Sequence, residues 1–172
     1  MRVKLAVYRA VVRGILLYGC ESWVVSAGDL RRLRVFENGC VRRLLGVTRL
    51  DRFSAAALRQ RTGLEDLGVV LARRRWRWLG HVLRMGEERM PRRVLLACMG
   101  ALGLERLRGG KKLTWKRLVT REGWRGLLVA RRALSWDRWR RVEGWKWLAA
   151  EALDRQAWRQ LADLVALDAA YS

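Results

Sequence analysis

The stretch Arg73–Met85 reads RRRWRWLGHVLRM. It holds five arginines, two tryptophans, one glycine and the only histidine of the chain. Set on a helix at about 100° per residue, Leu71, Trp78, Val82 and Met85 share one side, and Ala72, Trp76, Leu79 and Leu83 share the adjacent side. The apolar arc is broad, as for a central helix packed by several neighbours. Arg73, Arg77 and Arg84 line up on the remaining face, with Gly80 between them and His81 at the edge. The tryptophans therefore read as core and the arginine stripe as exposed surface.

Helical spacing extends outward from this segment in both directions. Leu, Ala and Arg dominate, there is one Pro, and clean period-two alternation is absent, so helix is the better assignment nearly everywhere. A first helix is expected over Val3 to about Leu17, ending near Gly19. Ser26, with Asp29 three residues on, reads as a capping box. Leu30, Leu33, Phe36, Cys40 and Leu44 follow at helical spacing, and Gly46 stops the run. Ser54 caps a short helix ending at Gly63. The central helix should start near Glu65–Asp66, where carboxylates suit the positive end of the dipole, and run to about Met85. Pro91 suits the start of the next helix, and helical patterns return over residues 113–128, 134–150 and 154–167. The expected fold is all-α: a multi-helix bundle, either continuous or as two small helical subdomains joined by a basic, Gly-rich linker. The divisions are residues 1–64, the Arg-rich central helix with the helix after it over 65–101, the linker over 102–112, and a C-terminal helical segment over 113–172.

Hydrophobic residues make up 51% of the 172 residues, enough for a core. The net charge is +21, and all but five of the 37 basic residues are arginine. Such a surplus exceeds what solubility asks for and points to a polyanion, nucleic acid first and anionic membrane second. Arginine forks onto phosphate and stacks on bases, where lysine offers a point charge; nucleotide composition alone can also enrich arginine. Cys20, Cys40 and Cys98 are widely spaced and odd in number, which suggests reduced thiols in an intracellular protein. No run approaches the roughly 18 apolar residues of a spanning helix.

Arg73, Arg77, Gly80, His81 and Arg84 are the candidate nucleic-acid contacts on the central helix. Lys111, Lys112 and Lys116 are the candidates in and after the basic loop. A glycine in mid-helix costs about 0.5–1 kcal/mol relative to alanine, so something should compensate at Gly80. Close approach of a phosphate backbone and close approach of another helix both fit. His81 has no second His and no nearby Cys at metal spacing, and suits either a phosphate or a backbone carbonyl. The pairs Glu65–Asp66 and Glu87–Glu88 need no role beyond capping, and none of the carboxylates is patterned for two-metal phosphoryl transfer. The run LRGGKK (Leu107–Lys112) lacks Walker spacing and reads as a basic loop with a generic phosphate preference. No nucleophile has a marked base partner. The expectation is a non-enzymatic chain without metal or cofactor.

Three blocks carry a family resemblance. YRAVVRGILLYGCESW (Tyr8–Trp23), DLRRLRVFENGCVRRLLGV (Asp29–Val47) and Asp51–Arg52 resemble the segment just after the polymerase palm in non-LTR (LINE-type) retrotransposon reverse transcriptases. RRRWRWLGHVLRM resembles that family's Arg-rich, Trp-Leu-Gly-His-Val, Arg-Met block, and DRQAWR (Asp154–Arg159) resembles its late Asp-Arg-x-x-Trp-Arg element. The blocks occur in the family's order. The chain departs from the family at Arg13–Gly14, where a Pro is frequent, and at Gly109–Lys111, where a Gly-Arg-Pro run precedes a Trp. The palm's Tyr-x-Asp-Asp motif is absent.

The resemblance implies a thumb-like first segment and downstream helices that hold template RNA or an RNA–DNA duplex for a polymerase palm located elsewhere. It implies a nuclear or ribonucleoprotein setting. A degenerate retroelement reading frame with inherited charge is the alternative. A membrane-surface Arg/Trp-rich protein fits less well, because the tryptophans fall on a core arc and not on a single lipid-facing stripe.

Overall fold

Short polar residues and glycines set the helix ends where the sequence placed them. Ser26 and Asp29 form the reciprocal capping box that starts α3, Ala27–Leu45, and Gly46 closes it at φ 68°. Ser54 accepts from Ala57 N at the start of α4, Ala55–Thr62. Asp66 accepts from Gly68 N at 2.8 Å and starts α5, Leu67–Leu83. Ahead of these lies one helical rod, made of α1 (Arg2–Val7), a π turn (Tyr8–Val12) and α2 (Arg13–Leu16). A short 3-10 turn, Cys20–Ser22, leads out of it. Beyond α5 come α6 (Met90–Cys98), α7 (Trp115–Val129), α8 (Val142–Glu151) and α9 (Arg155–Ala169). The computed structural model describes residues 2–98, 114–129 and 142–169, and within them every regular element is a helix. The fold is all-α. The linker expected over 102–112 lies outside the described residues.

α5 is the common wall of the protein. Its first turns bury Leu67 and Leu71 against Leu17 and Cys20 from the end of the first rod. Its later turns bury Trp76, Leu79, Val82 and Leu83 in the largest cluster, with Val119 of α7, Trp145 and Leu148 of α8, and Trp158, Leu161 and Val165 of α9. A separate cluster of Tyr8, Val41, Leu58 and Leu64 joins the rod to α3 and α4. Trp76 is fully buried, whereas Trp78 is half-buried and meets Trp115 edge-on at 5.4 Å.

The arc that the wheel left to apolar residues also takes a charge. Arg75 is 2% exposed and is ion-paired with Glu122 of α7, whose other oxygen accepts from Trp76 Nε1 at 3.2 Å. Arg74 reaches back to the Leu17 carbonyl at 2.9 Å. On the other side of the core, Arg13 pairs with buried Glu37 at 2.7 Å. Arg34 holds Asp66 by two hydrogen bonds, at 2.6 and 3.0 Å, so the N-cap of α5 is itself fixed by α3. Breaking one partner of a buried pair strands the other charge. Arg75→Ala should therefore cost about 3–5 kcal/mol in urea unfolding, and Arg75→Met combined with Glu122→Gln, which keeps an acceptor for Trp76 Nε1, should recover most of it.

Tyr8 is buried, and its hydroxyl has no hydrogen-bond partner among the described residues. Burial first, then the Glu37 carboxylate, pushes its pKa up to about 12. The unfolded phenol loses its proton near pH 10, so the folded form holds the proton longer. Stability is then full below about pH 10 and falls as pH rises towards 12, by about 2–3 kcal/mol at about 1.4 kcal/mol per unit. Tyr8→Phe should abolish this alkaline loss, as read by denaturant unfolding above and below pH 10.

Candidate nucleic-acid interface

Two glycines set how closely α9 lies on its neighbours. A Cβ on Gly80 would stand 2.1 Å from the Trp158 indole nitrogen, and one on Gly126 of α7 would stand 2.8 Å from the Val165 backbone. Trp158 thus fills the notch that Gly80 leaves in α5. Its N–H donates to the Trp76 carbonyl at 2.8 Å, and its ring stacks on Trp76 at 5.7 Å and 27°. Of the two readings left open for Gly80, the structure supports helix packing: the residue is buried under α9 and offers no surface to a ligand. Its place among the candidate contacts is corrected accordingly.

Trp158 also fixes where its neighbours in sequence stand. Arg155 and Arg159 lie one turn apart on the exposed side of α9, facing Arg77, His81 and Arg84 of α5. Together with Met85 and the buried edge of Trp158, these residues line an open cleft of about 690 Å³. Among the described residues no carboxylate lines it. Asp154, beside it in sequence, is spent on capping, accepting from Gln156 N and Ala157 N at 2.8 and 3.0 Å.

The arginine stripe does not act as one surface. Arg73 is folded into the protein: it bonds both Glu65 oxygens, at 2.6 and 2.8 Å, and its Nε reaches Asp163 at 2.7 Å. The outward assignment for Arg73 is corrected on this point. A wheel treats the helix alone, whereas the turn before α5 and the middle of α9 bring carboxylates over that part of the face. The arrangement holds the Glu65 carboxyl below its usual range, chiefly through the Arg73 hydrogen bond. Arg77 is exposed and touches Asp163 only at 3.5 Å. His81 is exposed. Arg84 is half-buried and donates one N–H to the Ala152 carbonyl at 2.8 Å. Burial, and after it the positive charges of Arg155 and Arg159, lower the Arg84 pKa. The cleft is therefore a place where guanidinium groups stand close enough to feel one another's charge.

Lys116 lies on α7, half-buried and with its own contacts in the chain, and is not part of the cleft. Lys111 and Lys112 lie outside the described residues. Arg155 and Arg159 were missed in the sequence reading. The available signal was the spacing Arg-x-x-Trp-Arg, which puts two cations astride an aromatic that must be buried.

Among the described residues no helix is long and apolar enough to cross a membrane, and no group of three His, Cys, Asp or Glu side chains could hold a metal ion. Cys20 and Cys40 are free thiols. Compared with protein-family models, curated proteins and solved structures, the chain matches none.

Arg73 and the cleft arginines should separate by experiment. Arg73→Gln removes an internal pair and should lower stability by about 1 kcal/mol, leaving polyanion affinity and its salt dependence as in the native protein. Loss of affinity without loss of stability would place Arg73 on the binding surface after all.

Proposed function

We propose that the protein is a nucleic-acid-binding helical module that grips phosphate backbones through the cleft between α5 and α9. The observation that carries this reading is the meeting of Arg77, His81 and Arg84 with Arg155 and Arg159 around a cleft that no carboxylate lines among the described residues. Arginine suits this task because its planar fork bonds two phosphate oxygens at once and stays charged. The one indole among the described residues of the cleft, Trp158, is 1% exposed and already stacked on Trp76. It offers no platform to a base, so recognition rests mainly on backbone charge and shape, and sequence preference is weak.

The same observation supports the resemblance to LINE-type reverse transcriptases. Arg77, His81 and Arg84 come from the Trp-Leu-Gly-His-Val, Arg-Met block, and Arg155 and Arg159 from the Asp-Arg-x-x-Trp-Arg block. Two motifs more than 60 residues apart form one surface. In this reading the module holds template RNA or an RNA–DNA duplex beside a polymerase palm, and the chemistry belongs to that palm.

Fluorescence anisotropy with a labelled RNA–DNA hybrid, a duplex DNA and a single-stranded RNA tests the proposal. Each phosphate contact contributes a slope of about −0.9 in log K against log salt on a duplex and about −0.7 on a single strand. Replacing Arg77, Arg155 and Arg159 together by Gln should flatten the slope by up to about two to three units and weaken binding to all sequences alike, with helical content unchanged. Native affinity and slope in that variant would overturn the proposal.

A further inference from the structure

His81 stands among cations whose charge is fixed. Arg77 and Arg84 lie one turn before and one turn after it on α5, and Arg155 and Arg159 line the cleft from α9. Guanidinium groups keep their charge at any pH near neutral. Met85 and Trp158, which complete the lining, do not titrate. Imidazole is the side chain whose charge changes between about pH 5 and 8. Of the described residues that line the cleft, only His81 has it.

Its ring is also uncommitted. His81 is exposed, and among the described residues it makes no hydrogen bond and no ion pair. A backbone carbonyl, one of the two partners that its sequence position suits, has not taken it. The carboxylates nearby are engaged elsewhere. Asp163, one turn past Arg159 on α9, meets Arg73 Nε at 2.7 Å and Arg77 at 3.5 Å. Asp154 caps α9. In the turn after α5, Glu87 is drawn to Arg92 at 3.6 Å and Glu88 turns back onto Gly86. Glu151, which ends α8, has its own contact in the chain.

We infer that a phosphate entering the cleft takes up a proton at His81, so that binding tightens as the pH falls through the neutral range. The inference rests on the phosphate cleft proposed above and adds a control to it. The proton comes from the buffer and stays on the imidazole, and no covalent bond of the nucleic acid changes. A neutral imidazole has one N–H, whereas the imidazolium has two and a full charge. A phosphate oxygen therefore binds the protonated ring more tightly, through a charge-assisted hydrogen bond. The gain is reciprocal: the proton favours bound phosphate, and bound phosphate favours the proton. The protonated fraction falls as the pH rises, so affinity falls with it. It levels off once the ring is neutral in both the free and the bound protein. What remains there is the share carried by the four arginines. One histidine limits the uptake to one proton, and a pKa that differs by one unit between the free and bound states is about a tenfold change in affinity.

Fluorescence anisotropy of the full chain with a short labelled RNA–DNA hybrid, at fixed ionic strength from pH 8 to 5.5, tests this. The native chain should bind about three- to tenfold more tightly at pH 5.5. His81→Gln should lose the dependence and bind at every pH no more tightly than the native chain does at pH 8. His81→Arg should lose it too, and bind at least as tightly as the native chain at pH 5.5. Titration calorimetry near pH 6.5, in two buffers of different ionisation enthalpy, should show up to one proton taken up per protein bound, and none with either variant. A pH slope that survives in His81→Gln overturns the inference, since the proton then goes elsewhere. Binding that the Arg77, Arg155, Arg159 triple Gln variant weakens, but that is flat with pH in the native chain, overturns the inference and leaves the cleft standing. A chain that binds no hybrid at any pH overturns both.

Discussion

The indole of Trp158 lying in the notch at Gly80 is the contact on which the rest of the C-terminal half depends. An ordinary side chain at residue 80 would overlap the ring, so α9 could not sit at this depth. At this depth the indole N–H reaches the Trp76 carbonyl, and the two rings stack. That carbonyl lies inside a helix and already serves the helical ladder, so Trp158 takes its second lone pair. The contact fixes both the distance between the helices and the rotation of α9 about its axis. Rotation decides which of its neighbours face solvent. With Trp158 turned in, Arg155 and Arg159 are turned out, towards the cations of α5. The cationic cleft is in this sense a by-product of burying one tryptophan correctly.

The +21 charge is not a uniform coat. Much of the arginine is structural. Arg9, Arg42, Arg74 and Arg84 donate to backbone carbonyls at Thr62 and Gly63, Phe53, Leu17 and Ala152, where chain segments turn or helices end. Arg13, Arg34, Arg73 and Arg75 are paired with carboxylates. A long stem that covers apolar surface and a fork that satisfies stray acceptors make arginine a helix-to-helix fastener. Carboxylates are too few to neutralise what remains, 16 against 37 basic residues. Among the described residues none of them lines the α5–α9 cleft, although Glu151 and Asp154 lie near it in sequence.

The fold was legible in the sequence because its punctuation is local. Ser26 with Asp29, Ser54, Gly46 and Gly63 act on backbone groups within a turn of themselves, and each closes or opens a helix as its spacing indicates. The buried arc of α5 was legible for the same reason. What was not legible depended on partners distant in the chain. Nothing near Arg75 in sequence announces Glu122, and nothing near Arg73 announces Asp163. Gly80 could be recognised as a close-approach point, yet its partner lies on a helix more than 70 residues away. The π turn at Tyr8–Val12 also escaped, since one extra residue in a turn leaves the hydrophobic period nearly unchanged.

Where the described tryptophans lie bears on the role proposed for so basic a chain. An Arg/Trp-rich helix that binds lipid must present its indoles outward, on the side opposite its charges. Here Trp76, Trp145 and Trp158 are buried in one core, Trp78, Trp115, Trp124 and Trp147 pack against it, and Trp115 spends its N–H on the Glu21 carbonyl at 2.8 Å. The exposed large apolar side chains are scattered instead, from Val3, Val7, Val11, Ile15 and Tyr18 to Phe36, Leu50, Met90 and Leu153, and no tryptophan is among them. None of the eight described tryptophans is exposed, so the cations of the proposed phosphate cleft have no outward indole beside them of the kind a bilayer contact uses.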